Sequence, residues 1–464
     1  MPANSNHLIT AEEDEGRRVS SPGATTVGTN GRRSARNGLP IESPPSSMTD
    51  IRGRLIVCIA NAWDYDPTSK HQIARVLARH NRIVWVNYRG TRRPELSEAD
   101  ILASFAALGR VFGGARRVDE SIVQVTPLVV PGARSAILQR LHRWMVIAQI
   151  RRAIRAFRPD RSTPIQVWSF APDVPFLVDA FGEECFLYYC VDEYREFEGF
   201  DRTLIARRED ELLEKADVVV TTSAPLLESK RVRRRDALLV RHGVDFDHFA
   251  SAWRDKHDPP LDLASIPRPV FGYFGLIHHW VDLEFLARVA RLRPWYSFVL
   301  LGDCAVDTSA VRRLPNVHLL GRKPYETLPA YCAGFEAGMM LFTQSAMTRH
   351  INPIKMREYL AAGLPVVSTP LPEAEPYRGS IRIAGTAEAF AAACDEIVGA
   401  DSTRRGASIS RGVRHETWED RVAALSRTVL DRIAGAQRTV TKRADEVLPP
   451  GLRSIPSVPV GGVS

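Results

Sequence analysis

The sequence predicts an α/β protein of two doubly wound domains in tandem, framed by unstructured tails. Three observations predict it. Short continuous apolar runs alternate with helix-length amphipathic stretches, as strands buried on both faces of a parallel sheet do. A polar break over Trp253–Arg268, carrying Pro259, Pro260 and Pro267, separates two such series. Residues 1–50 contain no aromatic residue and residues 436–464 have no apolar period, so neither end buries enough to offset its ordering entropy.

Leu55–Ala60 (LIVCIA) is the first buried-strand run, Asp66-Pro67 opens a helix through Arg79, and Arg82–Asn87 is the second strand. The alternation continues with strands at Ile122–Leu128, Ile165–Phe170, Cys185–Cys190, Asp217–Thr222 and Leu238–Val240, and with helices over 135–157 and 201–215. These make a first domain over residues 51–255, followed by a linker at 256–268. The second domain, residues 269–415, has strands at Val270–Phe274, Ser297–Leu301, Val317–Leu319, Ala337–Phe342, Pro365–Ser368 and Ile381–Ile383. A last helix falls within 416–435.

A chain of 464 residues is long enough for two domains, and 44% apolar with 25% charged residues is an ordinary globular composition. The net charge of +8 favours anionic partners. The first fifty residues hold five Arg against six acids, so the basic excess lies in the folded body. No nucleic-acid motif accompanies it, which excludes that partner. Six scattered cysteines without a C-x-x-C pair suit reduced, buried thiols. No run approaches the roughly 18 apolar residues of a membrane span, and no leader pattern is visible, so a cytoplasmic setting is expected. The helix over 139–158 is basic and amphipathic, with Leu141, Trp144, Met145, Ala148 and Phe157 available to one side. That stripe either packs on its own sheet or rests peripherally on anionic headgroups at the inner face of the plasma membrane.

The stretch Asn352–Thr369 (NPIKMREYLAAGLPVVST) organises the rest. Asn352 reads as an N-cap, Pro353 as the first helical residue, and Gly363 as a stop before a short strand. Lys355, Glu358 and Tyr359 share one face. A helix N-terminus carrying a lysine attracts phosphate, and Glu358 one turn on can accept hydrogen bonds from sugar hydroxyls. This P-x-K-x-x-E-Y-x-A-x-G-x-P-V-V-S pattern resembles the donor-site signature of the retaining GT-B glycosyltransferases. The segment Gly272–Asp282, with G-L-I-H-H-W-V-D, is similar to a teichuronic-acid-type subgroup of family four. The resemblance implies two Rossmann-like domains facing a cleft. It also implies hexose transfer from a nucleoside diphosphate sugar to a hydroxyl of a glycan or lipid-linked acceptor in cell-surface polysaccharide synthesis. No bound metal or further cofactor is implied.

On that resemblance Lys355 meets the phosphates and Glu358 the ribose, with Gly275, His278, Arg322 and Asn352 also on the donor side. Gly275 permits close backbone approach. His278 stands where relatives have cations, and is otherwise a loop residue. Arg322 follows a strand and is either a nucleotide contact or a solvated charge. The family's first glutamate is replaced by His350, which with Asp192 makes up the catalytic candidates. Asp192 and Glu193 leave the strand Cys185–Cys190; they either serve an acceptor hydroxyl or form a helix-start acid pair. Trp63 and Asp64, after the first strand, join Glu193 as acceptor candidates, with a plain surface loop as the other reading. His242, in R-H-G-V-D, marks the fold. Two other classes stay open: a nucleotide-sugar epimerase of the same architecture, and an inactive nucleotide-sugar-binding scaffold suggested by His350.

Overall fold

The computed structural model describes residues 50–64, 67–88, 115–128, 135–197, 200–255, 257, 260–400 and 406–447, with backbone alone at 136 and 437–447. The tails beyond them, where the sequence predicts disorder, lie outside the described residues. Strands β1 (Leu55–Ala60), β2 (Arg82–Asn87), β3 (Arg116–Arg117), β4 (Ile122–Val125), β5 (Ile165–Ser169), β6 (Cys185–Cys190), β7 (Val218–Thr221) and β8 (Leu238–Leu239) form one sheet. Its order is β3-β4-β2-β1-β5-β6-β7-β8, parallel throughout except for the short β3. Strands β9 (Val270–Phe274), β10 (Ser297–Leu301), β11 (Val317–Gly321), β12 (Ala337–Met340), β13 (Val366–Ser368) and β14 (Ile381–Ile383) form the other, ordered β11-β10-β9-β12-β13-β14 and wholly parallel.

The apolar runs are continuous because both faces of each sheet are covered. In β1, Leu55, Val57 and Ile59 pack toward Val146 and Ile150 of the Ala136–Phe157 helix. Ile56 and Cys58 pack toward Ile73 and Leu77 on the opposite face. Burying each such aliphatic side chain contributes about 1.5–3 kcal/mol. Strand order reverses between β1 and β5 and between β9 and β12. Crevices form outside the carboxyl ends of the strands at such switch points.

The domain boundary differs from the sequence expectation. Residues 246–254, expected within the first domain, form a helix that packs into the second: Phe249 and Ala252 share a core with Phe274, Tyr359 and Leu360. Leu263 and Ile266, expected in the linker, belong to that same core. The helix is strongly amphipathic, but its buried face carries no label saying which sheet it will cover. In exchange, the helix Trp418–Val447 returns to the first domain, where Trp418, Val422, Leu425, Val429 and Ile433 join the core beside Trp85 and Trp168.

Smaller differences have local causes. The first helix begins at Ser69 rather than near Asp66, because Thr68 and His71 form a reciprocal capping box. The last helix runs past Ala436 to Val447, through Gln, Arg, Lys, Ala and Glu, which are good helix formers. Five cysteines are buried as expected and Cys304 is exposed. No helix among the described residues is long and apolar enough to cross a membrane.

Candidate active site

The second domain's switch point is built from glycine. Gly275 ends β9 with φ +122° and Gly302 ends β10 with φ +152°. A Cβ on Gly302 would stand 2.1 Å from the Gly275 carbonyl oxygen, so the two strand ends approach as only glycines allow. A Cβ on Gly275 would meet the Lys355 ammonium at 2.7 Å. The expected lysine and the expected glycine are thus in one place.

Lys355 reaches that place from the helix Ile354–Ala361. Its Nζ donates to Tyr273 Oη at 2.8 Å, lies 4.0 Å from the Tyr273 ring centroid and 5.8 Å from that of Phe342. Among the described residues no carboxylate pairs with it within 4 Å. Burial pushes its pKa down to about 7, with Glu358 opposing the shift. Glu358, one turn further, is pushed up to about 8 by burial, against the pull of Lys355. Tyr359 fixes the helix to the strand: its Oη accepts from the Phe274 amide at 3.0 Å. At the far end Gly363, φ +73°, terminates the helix as expected.

The helix start is not as expected. Pro353 is the cap and Asn352 makes no capping bond; its side chain turns to the other domain. Asn352 Nδ2 donates to the Thr222 carbonyl at 2.7 Å and to Glu373 at 2.7 Å, and its Oδ1 accepts from Arg357 at 2.6 Å. Both its N–H groups are used, so the donor-contact expectation for Asn352 is corrected to an interdomain contact. Glu373 also accepts from the Ala224 amide (2.8 Å) and from Arg241 (2.7 Å). The fully buried Arg357 reaches Glu416 (2.6 Å) and Tyr377 (3.0 Å) as well. His242, kept neutral by burial with its pKa down to about 3, donates from Nδ1 to the Asn352 carbonyl at 2.9 Å. These bonds clasp the two domains with their strand ends facing each other.

His350 lies in that same junction. Its carbonyl accepts from Ser223 Oγ at 2.5 Å, and its Nδ1 donates to the Ala346 carbonyl at 2.7 Å. His278 stacks on Trp280 (4.3 Å, 12°) and its Nδ1 accepts from the His279 amide. The Trp280 carbonyl accepts from the Thr343 amide, holding this loop beside Phe342. Arg322 sits half-buried past β11, its pKa lowered by burial; its neighbour Lys323 is committed to Asp262 at 2.8 Å.

In the first domain Asp192 and Glu193 part company. Glu193 is buried and accepts from Lys230 at 2.7 Å and Ser229 at 2.9 Å, so its expected acceptor role is corrected to a core ion pair. Asp192 stays half-buried with its pKa raised by burial, and the only charge opposing that rise is Lys70. Lys70, pushed down by burial, stands across the β1/β5 switch point. Trp63 packs edge-on against Trp85 (4.9 Å) with Arg75 5.9 Å above its ring. Asp64 is exposed and paired with Arg116. Lys70 and Tyr325 were not singled out by sequence. Tyr325 stacks on His248 (4.7 Å, 17°) within the field of Glu358 and Asp245. Lys70 has no motif around it, whereas Tyr325 follows the basic turn at Arg322.

Two doubly wound parallel sheets with switch points turned to one cleft are the GT-B arrangement. No family model matches the chain. Over 273 residues, 54% of this chain and 68% of the relative, it is 26% identical to TuaH of Bacillus subtilis (strain 168), a protein assigned as a teichuronic acid biosynthesis glycosyltransferase. Among solved structures, a UDP-forming α,α-trehalose-phosphate synthase of Burkholderia vietnamiensis has the same fold, with a TM-score of 0.56 and 14% identity over 82% of this chain and 100% of that one. Anabaena HepE in complex with UDP and glucose matches with a TM-score of 0.53 and 12% identity, over 83% and 99%. The chain thus has the GT-B fold and is similar in sequence to a protein assigned as a glycosyltransferase.

Proposed function

We propose that this glycosyltransferase moves a hexose from a nucleoside diphosphate sugar, with UDP as the first carrier to test, to a hydroxyl of a glycan or lipid-linked acceptor in cell-surface polysaccharide synthesis. One observation carries the donor half: an ammonium group held over a glycine strand end, beside aromatic rings, without a carboxylate partner within 4 Å among the described residues. Such a group is costly to desolvate unless an anion completes it. The diphosphate supplies that anion, and Glu358 then takes the ribose hydroxyls.

In the transfer step the bond from the sugar's anomeric carbon to the β-phosphate oxygen breaks, and its electron pair leaves on the diphosphate. Lys355 and the backbone N–H groups at the start of its helix stabilise that developing charge, which requires no metal. The acceptor oxygen bonds to the same carbon from the side the diphosphate leaves, so configuration is retained. The acceptor proton passes to the departing phosphate oxygen, with Asp192 orienting the hydroxyl and Lys70 opposing the rise that burial imposes on Asp192. His350 faces the transferred sugar where relatives have a glutamate.

The test is incubation of the full chain with labelled UDP-, GDP- and dTDP-sugars. Slow release of free sugar and nucleoside diphosphate is expected, accelerated by crude lipid-linked acceptor. An isomerised nucleotide sugar would replace this reading with an epimerase, and tight binding with no turnover under any acceptor would replace it with a scaffold.

A further inference from the structure

The Ala136–Phe157 helix has two unlike halves. Val146, Ile150, Ala153 and Ile154 are buried against the first sheet, and Arg151 donates twice to the Ala180 carbonyl, at 3.0 and 2.7 Å. That half is anchored. Ahead of it, Ile137 is 77% exposed, Leu138 45%, Leu141 47% and Trp144 67%. At 3.6 residues per turn Ile137, Leu141 and Trp144 fall in one row, opposite the buried row of Val146 and Ile150. Further along that outer face the residues become Arg152 and Arg155, both exposed. The helix contains five arginines and no acidic residue. The expected stripe is therefore divided: Phe157 packs on its own domain, whereas Leu141 and Trp144 do not.

The placement matters as much as the composition. The helix follows β4 and leads to the parallel β5, so it starts at the cleft end of the sheet. Leu128, just past β4, donates its amide to Gln149 at 3.1 Å. The residues from Ala136 to Gln149 rise about 20 Å at 1.5 Å each, so the exposed row projects beyond the strand ends on the acceptor side.

We propose that this projecting half-turnstile of Ile137, Leu138, Leu141 and Trp144, with its arginine collar, docks the first domain on an anionic lipid bilayer and presents the acceptor crevice to a lipid-borne substrate. An apolar row with a tryptophan at its edge, on a helix whose charged residues are all cations, matches the headgroup boundary of such a surface. A protein partner of ordinary composition gives no reason for the complete absence of acids. The proposal rests on the acceptor half of the function above and is tested apart from it.

The full chain is sedimented with vesicles of phosphatidylcholine alone or with 30% phosphatidylglycerol, at low and high NaCl. The expected result is at least tenfold stronger partitioning onto the anionic vesicles, weakened by salt. Brominated lipid should quench tryptophan emission, and Trp144→Phe should abolish that quenching. Leu141→Ser/Trp144→Ser should lower partitioning at least tenfold, and Arg152→Gln/Arg155→Gln several-fold, with UDP affinity unchanged in both. Equal binding to the two vesicle types, unchanged binding of the Leu141/Trp144 variant, or a self-associated chain that this variant makes monomeric would each overturn the proposal. Loss of UDP binding by the parent chain would sink the donor assignment and leave the vesicle result standing.

Discussion

Lys355 and Arg357 lie two residues apart on one short helix and meet opposite fates. Arg357 turns into the domain junction, where Asn352, Tyr377 and Glu416 use its N–H groups at 2.6–3.0 Å. Lys355 turns into the cleft, where among the described residues it bonds one tyrosine hydroxyl and meets two ring faces, with Glu358 pulling on it from one turn away. A buried cation with its partners present is a structural joint; a half-buried cation without them is a place for a ligand. The same contrast separates Glu193, held by Lys230, from Asp192, on which Lys70 acts only through its charge.

The largest expected effect follows from the saturated member. Arg357→Met strands the Oδ1 of Asn352 inside the junction and leaves Glu416 to Arg421 and Tyr377 alone, and removing one partner of such a network costs about 3–5 kcal/mol. The midpoint of urea unfolding should fall accordingly. A loss below about 1 kcal/mol would mean the clasp is not what holds the domains together.

Lys355→Met should do the reverse. Charged hydrogen bonds are each worth about 1.5–3 kcal/mol, so UDP affinity should drop roughly 10- to 150-fold by calorimetry. Stability should hold or rise, because a desolvated charge has been removed. Equal UDP affinity in both proteins would remove the central support for the donor site.

The pH dependence sharpens the comparison, since the lysine's two roles carry opposite signs. Its folded pKa, down to about 7, lies below that of an exposed amine, so the unfolded chain binds more protons between about pH 7 and 10. The penalty on folding is full below pH 7 and relieved as pH rises through that window. Donor binding runs the other way. Above about pH 7 the ammonium must be re-formed to meet the diphosphate, so nucleotide-sugar affinity should fall by up to tenfold per pH unit. Glu358, raised to about 8, contributes a separate stability loss between its ordinary range and pH 8. The difference between parent chain and Lys355→Met isolates the lysine; identical pH profiles in the two would contradict the assignment.

What the sequence revealed depended on how local the cause was. The Lys355 helix was legible because Pro353 and Gly363 punctuate it and the lysine and glutamate are spaced within it. Asn352 was misread because its partners, Thr222 and Glu373, come from the other domain and from a later turn. Glu193 was misread for the same reason, its partner Lys230 lying on a helix not yet in view. The strands were legible as runs, whereas the domain that Phe249 would join was not, because amphipathicity fixes a buried face and not its neighbour. Lys70 left no local trace at all: only the strand order brings it opposite Asp192.

The smallest effect concerns the rim. Asp64 and Arg116 are an ion pair whose side chains remain 49% and 61% exposed, and such pairs contribute under about 1 kcal/mol. Asp64→Asn should therefore leave both the unfolding midpoint and UDP affinity where they are. If Asp64 also meets the acceptor, the change appears as a several-fold rise in acceptor KM with donor KM unchanged. That outcome would set the rim apart from both poles of the Lys355 helix, since a residue can be partnered, exposed and still selective. A fall in stability comparable to that of Arg357→Met would instead show that exposure is a poor guide to which ion pairs hold this fold.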